Sequence, residues 1–326
     1  MLGGGRARGL IVGIGISIGA AALLAATTDF GQVADHLKRA ELLWLAPALL
    51  VLAAQAWIRA ARWASLIRPW STHVIGARRV VDAMLIGYFA NAVLPGRLGE
   101  VARAIVVSRR EALAFGGVAA SVVVERAIDV MALAGLAAVA LALAASDASI
   151  GFAALAIAVA IVIGLGRRST VLERLVPGRT PARIAEGVRA FLRSVAAIPL
   201  AVAAGAAALS AVAWLADATI VLLVARALGI ELPVAAAVAI ALGGALGTAL
   251  PAAPGYIATY ELGAVALGGL AGVPRETVLP LAILTHVIGV TALAAAGAVA
   301  LGRAGGLVQL DALTRGNGLR VAAEKR

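Results

Sequence analysis

The stretch Asn91-Ala-Val-Leu-Pro-Gly-Arg-Leu-Gly-Glu-Val-Ala-Arg103 decides how this chain folds. It sets Asn91, Arg97, Glu100 and Arg103 around Pro95, Gly96 and Gly99 inside a very apolar protein. Proline lacks a backbone donor, clashes with the preceding helical turn and disfavours helix at the residue before it. The helix entering this stretch therefore stops near Leu94. A broken helix with charges beside the break is unsuited to face lipid. It is tolerated where backbone and charge line a buried, wet cavity.

Composition places that break in a membrane. Of 326 residues, 62% are hydrophobic and 14% charged, and the mean hydropathy is +1.00. Several membrane helices give such values; a soluble domain does not. The net charge is +11, but aromatics are few and the basic residues sit between apolar runs. They read as topology signals and lipid-phosphate contacts, and nucleic acid is not an expected partner. Without cysteine there is no disulfide, thiolate nucleophile or cysteine metal site. His36, His73 and His286 lack ligand spacing, so neither metal nor cofactor is expected.

Outward from the break, the apolar run 80–94 is about 22 Å long as a helix, short of a hydrocarbon core of about 30 Å. A second short helix is expected over 97–108, followed by Arg109 and Arg110. Both flanks of the unit are basic, which fits a hairpin entering and leaving by the cytoplasmic face. Before it, spans are read at 10–26 and 42–58. A loop at 27–41 joins them, and a basic loop carrying Arg59, Arg62, Arg68, Arg78 and Arg79 follows. After it comes a long helical pattern, 111–145, whose Glu125 and Asp129 share a face and whose Arg126 pairs with Asp129 or a carboxylate elsewhere. A span at 150–165, a basic surface helix around 184–193 and a span at 199–225 follow.

A second broken unit runs Gly247-Thr-Ala-Leu-Pro251-Ala-Ala-Pro254-Gly255-Tyr-Ile-Ala-Thr-Tyr260-Glu261, with half-helices expected over 234–250 and 256–271. Its flanks are weakly charged, which suits the outer face. The last span is 278–301, ahead of a basic tail. Each unit repeats half-helix, Leu-Pro, glycine, glutamate. Opposed discontinuous elements point to a transporter with its site near mid-membrane. The expected fold is all-α: about six transmembrane helices plus two oppositely oriented re-entrant hairpins. Residues 1–302 form the membrane domain and 303–326 a cytoplasmic tail, with both termini cytoplasmic.

These motifs, with Glu125-Arg126-x-x-Asp129 and Arg62-Trp63, resemble the lysylphosphatidylglycerol synthase transmembrane region, a flippase-like family. The resemblance covers nearly the whole chain. It implies a bacterial inner-membrane protein moving a lipid or lipid-linked head group between leaflets. The lipid would be anionic or of polyisoprenoid-phosphate type, and a lipid-modifying enzyme would be a possible partner. The chain ends soon after its last span, so a stand-alone member without the soluble aminoacyl-transfer domain is expected, and lysine transfer is not.

The expected substrate-binding set is Asn91, Arg97, Glu100, Arg103, Glu125, Arg126, Asp129, Tyr260 and Glu261, with structural breaks at Pro95, Gly96, Pro251, Pro254 and Gly255. Arginine forks suit phosphate oxygens, and half-helix ends offer backbone dipoles. Glu100 and Glu261 balance the arginines, bind a cationic head group or carry a proton; the residues alone leave all three open. Plainer roles stand beside these. Arg97 and Arg103 can snorkel to head groups, Glu125–Asp129 can be a structural ion knot, Asn91 can cap a helix and Tyr260 can anchor at an interface. His286, with no partner nearby in sequence, reads as a packed polar residue before a proton relay. The pairs Gly243-Gly244 and Gly268-Gly269 read as close helix contacts. No catalytic constellation is visible, so a membrane-embedded enzyme or a scaffold in a glycolipid, hopanoid or aminoacyl-lipid pathway is the alternative.

Overall fold

A computed structural model describes residues 3–94, 97–144 and 198–304. The expected span at 150–165, the surface helix around 184–193, the tail at 303–326 apart from its first two residues, and the breaks Pro95 and Gly96 lie outside these. The described residues form ten α-helices and no strand. In chain order they are α1 (Gly3–Thr27), α2 (Phe30–Lys38), α3 (Leu45–Ile67), α4 (Ala77–Val93), α5 (Leu98–Arg110), α6 (Phe115–Ala144), α7 (Leu200–Ala227), α8 (Val234–Gly247), α9 (Thr259–Leu270) and α10 (Arg275–Arg303).

Among the described residues, three helical stretches are long and apolar enough to cross a membrane: Leu42–Trp70, Leu200–Ala227 and Arg275–Arg303. The bent pair α1–α2 can supply a fourth. Their outward side chains, such as Ile11, Ile18, Leu50, Trp57, Leu215 and Val299, are exposed, as a lipid-facing surface requires. With the apolar composition, this makes the chain an integral membrane protein.

Three expectations change. The segment 27–41 is not simply a loop. Asp29 caps α2 by accepting from the amides of Gly31 and Gln32, and α2 turns 92° from α1. The side chain of Gln32 and those two amides hold the Asp29 carboxylate below its usual range. Next, the second span does not end at Ile58. Helix α3 continues to Ile67, so Arg59 and Arg62 stand on a helix inside the bundle. They extend a polar stripe begun by Gln55, at a spacing of four and then three, along one helix face. Last, the helical pattern from Glu111 is interrupted at Ala112, whose φ of 52° is left-handed, and α6 starts only at Phe115.

Both broken units are helical hairpins. Helix α4 ends at Val93, with Leu94 extended (φ −110°, ψ 143°) as expected before proline. Helix α5 folds back onto α4 across glycines: a Cβ on Gly99 would lie 2.0 Å from the Gly87 carbonyl oxygen. At the base of this hairpin, buried Glu111 pairs with Arg79 at 3.1 Å and His73 at 3.0 Å. Helices α8 and α9 fold likewise, with Gly243, Gly247 and Gly263 at the crossing. Gly244 faces the Tyr260 ring and Gly268 faces Val278, but a Cβ on Gly269 would meet nothing within 4 Å. The close-contact reading therefore fails for that one glycine. Helix α10 packs on both hairpins, α3 packs on α7, and α6 packs on both.

Candidate functional site

The two hairpins meet at their tips. Arg97, in the left-handed region (φ 57°), is the N-cap of α5. Its Nε donates to the carbonyl oxygen of Thr248, the C-cap of α8, at 2.8 Å, and its Nη2 donates to that oxygen at 2.5 Å. Asn91 Oδ1 accepts from the Gly99 amide at 2.8 Å, tying α4 to the first turn of α5. The second tip also carries left-handed residues, Tyr256 (φ 59°), Ala258 (φ 67°) and Gly255 (φ 72°). Ser17 on α1 holds that tip: its hydroxyl donates to the Ile257 carbonyl oxygen and accepts from the Ala253 amide, both at 3.0 Å. Strained backbone persists only where its surroundings over-determine it, and here it is concentrated at the two breaks.

Between the tips and the long helices lies a chamber of about 260 Å³. Asn91, Arg97, Glu100, Arg103, Arg126 and Tyr260 line it, as do Arg59, Trp214, Asp217, Thr285 and His286. Glu100 sits between two arginines, 3.8 Å from Arg97 and 3.6 Å from Arg126. All three side chains are partly exposed.

Behind Arg103 the charges are dry. Arg62 and Glu125 are 0% exposed. The Arg62 guanidinium pairs with Glu125 and Asp129 and donates to the Ser210 hydroxyl. Glu125 also pairs with Arg103. Arg103 lies over the Trp63 ring at 4.5 Å and contacts Met84 Sδ at 2.9 Å. Arg126 reaches both Asp129 and Glu100 at 3.6 Å. Buried ions at Arg62, Arg103, Glu125 and Asp129 are tolerable because each is paired and hydrogen-bonded.

Across the chamber, Arg59 pairs with Asp217 at 2.7 Å and stacks over Trp214 at 4.7 Å. His286 is buried, stacks on Tyr260 at 4.3 Å, and its Nδ1 lies 2.7 Å from Glu261 Oε1.

The expected site residues are thus brought together, though in different layers. Asn91, Arg97, Glu100, Arg103, Arg126 and Tyr260 reach the chamber wall, and so does Gly255. Glu125 and Asp129 lie behind Arg103 in the ion cluster, and Glu261 is reached through His286. Pro251 and Pro254 sit in the tip of the second hairpin. Arg103 is not a snorkelling side chain; it is buried and committed to Glu125. His286 is a buried, packed polar residue, and its partner Glu261 comes from 25 residues away in sequence. The sequence reading missed Arg59, Arg62, Trp214 and Asp217 as site residues. Their signal was present: polar residues at helical spacing in two otherwise apolar runs, 55–62 and 214–217.

Comparison with known proteins adds three findings. The family model described as the lysylphosphatidylglycerol synthase TM region matches residues 10–297. A glycosyltransferase of Haloferax volcanii, AglD, is 28% identical over 134 residues, covering 40% of this chain and 21% of its own length. The match thus spans about a fifth of that relative. No solved structure matches.

Proposed function

The chain belongs to the lysylphosphatidylglycerol synthase TM region family, and we propose that within it this protein is a lipid flippase, passing a phosphate-bearing head group between leaflets of the inner membrane. The carrying observation is that the breaks of both hairpins wall a single chamber lined with ionisable side chains. In this reading the hairpins are re-entrant and enter from opposite faces, with both termini cytoplasmic. Taking a phosphate through hydrocarbon unaided costs many kcal/mol. A groove lowers that barrier by giving the head group partners while its acyl chains stay in lipid. Arg97 and Arg126 supply charge-assisted donors suited to phosphate oxygens. Glu100 keeps them paired until a substrate anion takes its place.

The buried cluster of Arg62, Arg103, Glu125 and Asp129 acts differently. Its charges satisfy one another, so it fixes the position of α5 and α6 against α3 and carries no cargo. The similarity to a glycosyltransferase favours, as second reading, a supporting role in a pathway that modifies lipid-linked sugars.

The test is leaflet exchange of a fluorescent anionic phospholipid in proteoliposomes containing the purified protein. Arg97→Gln and Glu100→Gln should each abolish exchange while the protein remains folded. Exchange unchanged in both variants would sink the translocation reading.

A further inference from the structure

The chamber has two unlike sides. On one, Glu100 lies between Arg97 and Arg126; the other carboxylate of the lining, Asp217, stands across the chamber on the helix of Trp214 and is held by Arg59. Neither lining carboxylate is without a cationic partner. Arginines outnumber carboxylates in the lining, with Arg59, Arg97, Arg103 and Arg126 against Glu100 and Asp217, and Arg126 Nε and Arg97 Nη1 meet Glu100 only at 3.6 Å and 3.8 Å, beyond hydrogen-bond reach. That side fits a phosphate.

The opposite side, from α7 and α10, carries three buried polar atoms without a hydrogen-bond partner among the described residues: Trp214 Nε1, Thr285 Oγ1 and His286 Nε2. All three residues line the chamber, and His286 is 8% exposed. Buried polar atoms are ordinarily satisfied, so three orphans on one wall are a chemical specification. Indole N–H only donates and a hydroxyl does both. Nδ1 of His286 lies 2.7 Å from the Glu261 carboxylate, so Nε2 is the ring nitrogen left to meet a ligand, as acceptor or donor according to the tautomer. An ammonium has only donors and cannot satisfy Trp214. A hydroxyl donates and accepts, so two or more hydroxyls satisfy the set.

We propose that the wall of Trp214, Thr285 and His286 is a head-group subsite for the uncharged, polyhydroxyl part of a phosphodiester lipid, whose phosphate is held by Arg97 and Arg126. This rests on the reading of the chamber as a lipid path. It assigns the cargo class as glycerol- or sugar-headed anionic lipid.

Native mass spectrometry of the full chain tests it. The detergent-purified protein is equilibrated with an equal mixture of phosphatidylglycerol, phosphatidylethanolamine and phosphatidic acid of identical acyl chains. Phosphatidylglycerol should be retained several-fold over the other two. Trp214→Phe keeps the ring and loses the donor; Thr285→Val keeps the shape and loses the hydroxyl. Each should lower phosphatidylglycerol retention about two- to tenfold, the worth of one hydrogen bond, with phosphatidic acid unaffected. Arg97→Gln should lower both lipids together.

Equal retention of phosphatidylethanolamine would overturn the proposal, as would an equal fall of all lipids in Thr285→Val at wild-type melting temperature. Competition by free glycerol phosphate as strong as by the lipid would transfer the site to a soluble ester and overturn the lipid assignment. Selective retention without leaflet exchange in proteoliposomes would support the subsite and remove the translocation reading. Exchange indifferent to head group would do the reverse.

Discussion

Replacing Arg62 by methionine isolates the energetics of the buried charge cluster. The guanidinium is fully buried and holds Glu125, Asp129 and the Ser210 hydroxyl. Methionine keeps most of the apolar stem and removes the charge. Glu125 then retains Arg103, but Asp129 keeps only the Ser210 hydroxyl and Arg126 at 3.6 Å. Breaking a buried pair from one side costs about 3–5 kcal/mol because an uncompensated charge stays behind. That is roughly two to four powers of ten in the folded-to-unfolded ratio. Equilibrium unfolding in mild detergent, followed by tryptophan fluorescence, measures it. Adding Glu125→Gln removes the partner too, so the double variant should be more stable than the sum of the two singles by about 1–3 kcal/mol. A loss under about 1 kcal/mol, the value of an exposed pair, or strict additivity, would refute the claim that these charges are dry and coupled. Arg97→Gln is the contrast: its side chain is partly exposed, and the same assay should show a loss of less than about 2 kcal/mol.

The remaining predictions concern the hairpins and their placement. Gly99→Ala should cost about 1–3 kcal/mol or more by overpacking, because the new methyl lies 2.0 Å from the Gly87 carbonyl oxygen; Gly269→Ala, with open space around it, should be neutral or slightly stabilising by thermal melting. Ser17→Ala removes both bonds that hold the second tip; a loss of about 1–2 kcal/mol and faster amide exchange across residues 252–258 are expected, and unchanged exchange there would contradict the anchoring role. Because the chain has no cysteine, Gln32→Cys and Thr72→Cys report topology directly. An impermeant maleimide should reach Gln32→Cys from outside the cell and Thr72→Cys only after permeabilisation.

Much of this architecture was legible from a few residues. Leu94-Pro95 forces an end on α4, and the glycines flanking both breaks permit the return helices to lie against the outgoing ones. Charge beside those breaks located the chamber, since ions in an apolar chain need a shared, wet enclosure. The inner boundary of α3 was not legible by the same logic. Arg59 and Arg62 look like a cytoplasmic flank when charge is weighed by position along the chain. Only helical phase shows that they share a face with Gln55, turned inward. The pairing of His286 with Glu261 depends on how α10 is rotated against α9. Nothing local encodes that rotation; it is set by packing across the bundle, with Val278 of α10 seated against Gly268 of α9. The turn at 111–114 was hidden because Ala112 has no local feature that demands a positive φ.

The contact between Arg97 and Thr248 has a lopsided consequence for heredity. The principal acceptor is a main-chain oxygen, which every amino acid supplies. Position 248 is therefore free to drift among small side chains without unfastening the tips, whereas position 97 has no substitute offering a forked cation of the same reach. Natural variants of such proteins should vary freely at the first site and hold arginine at the second.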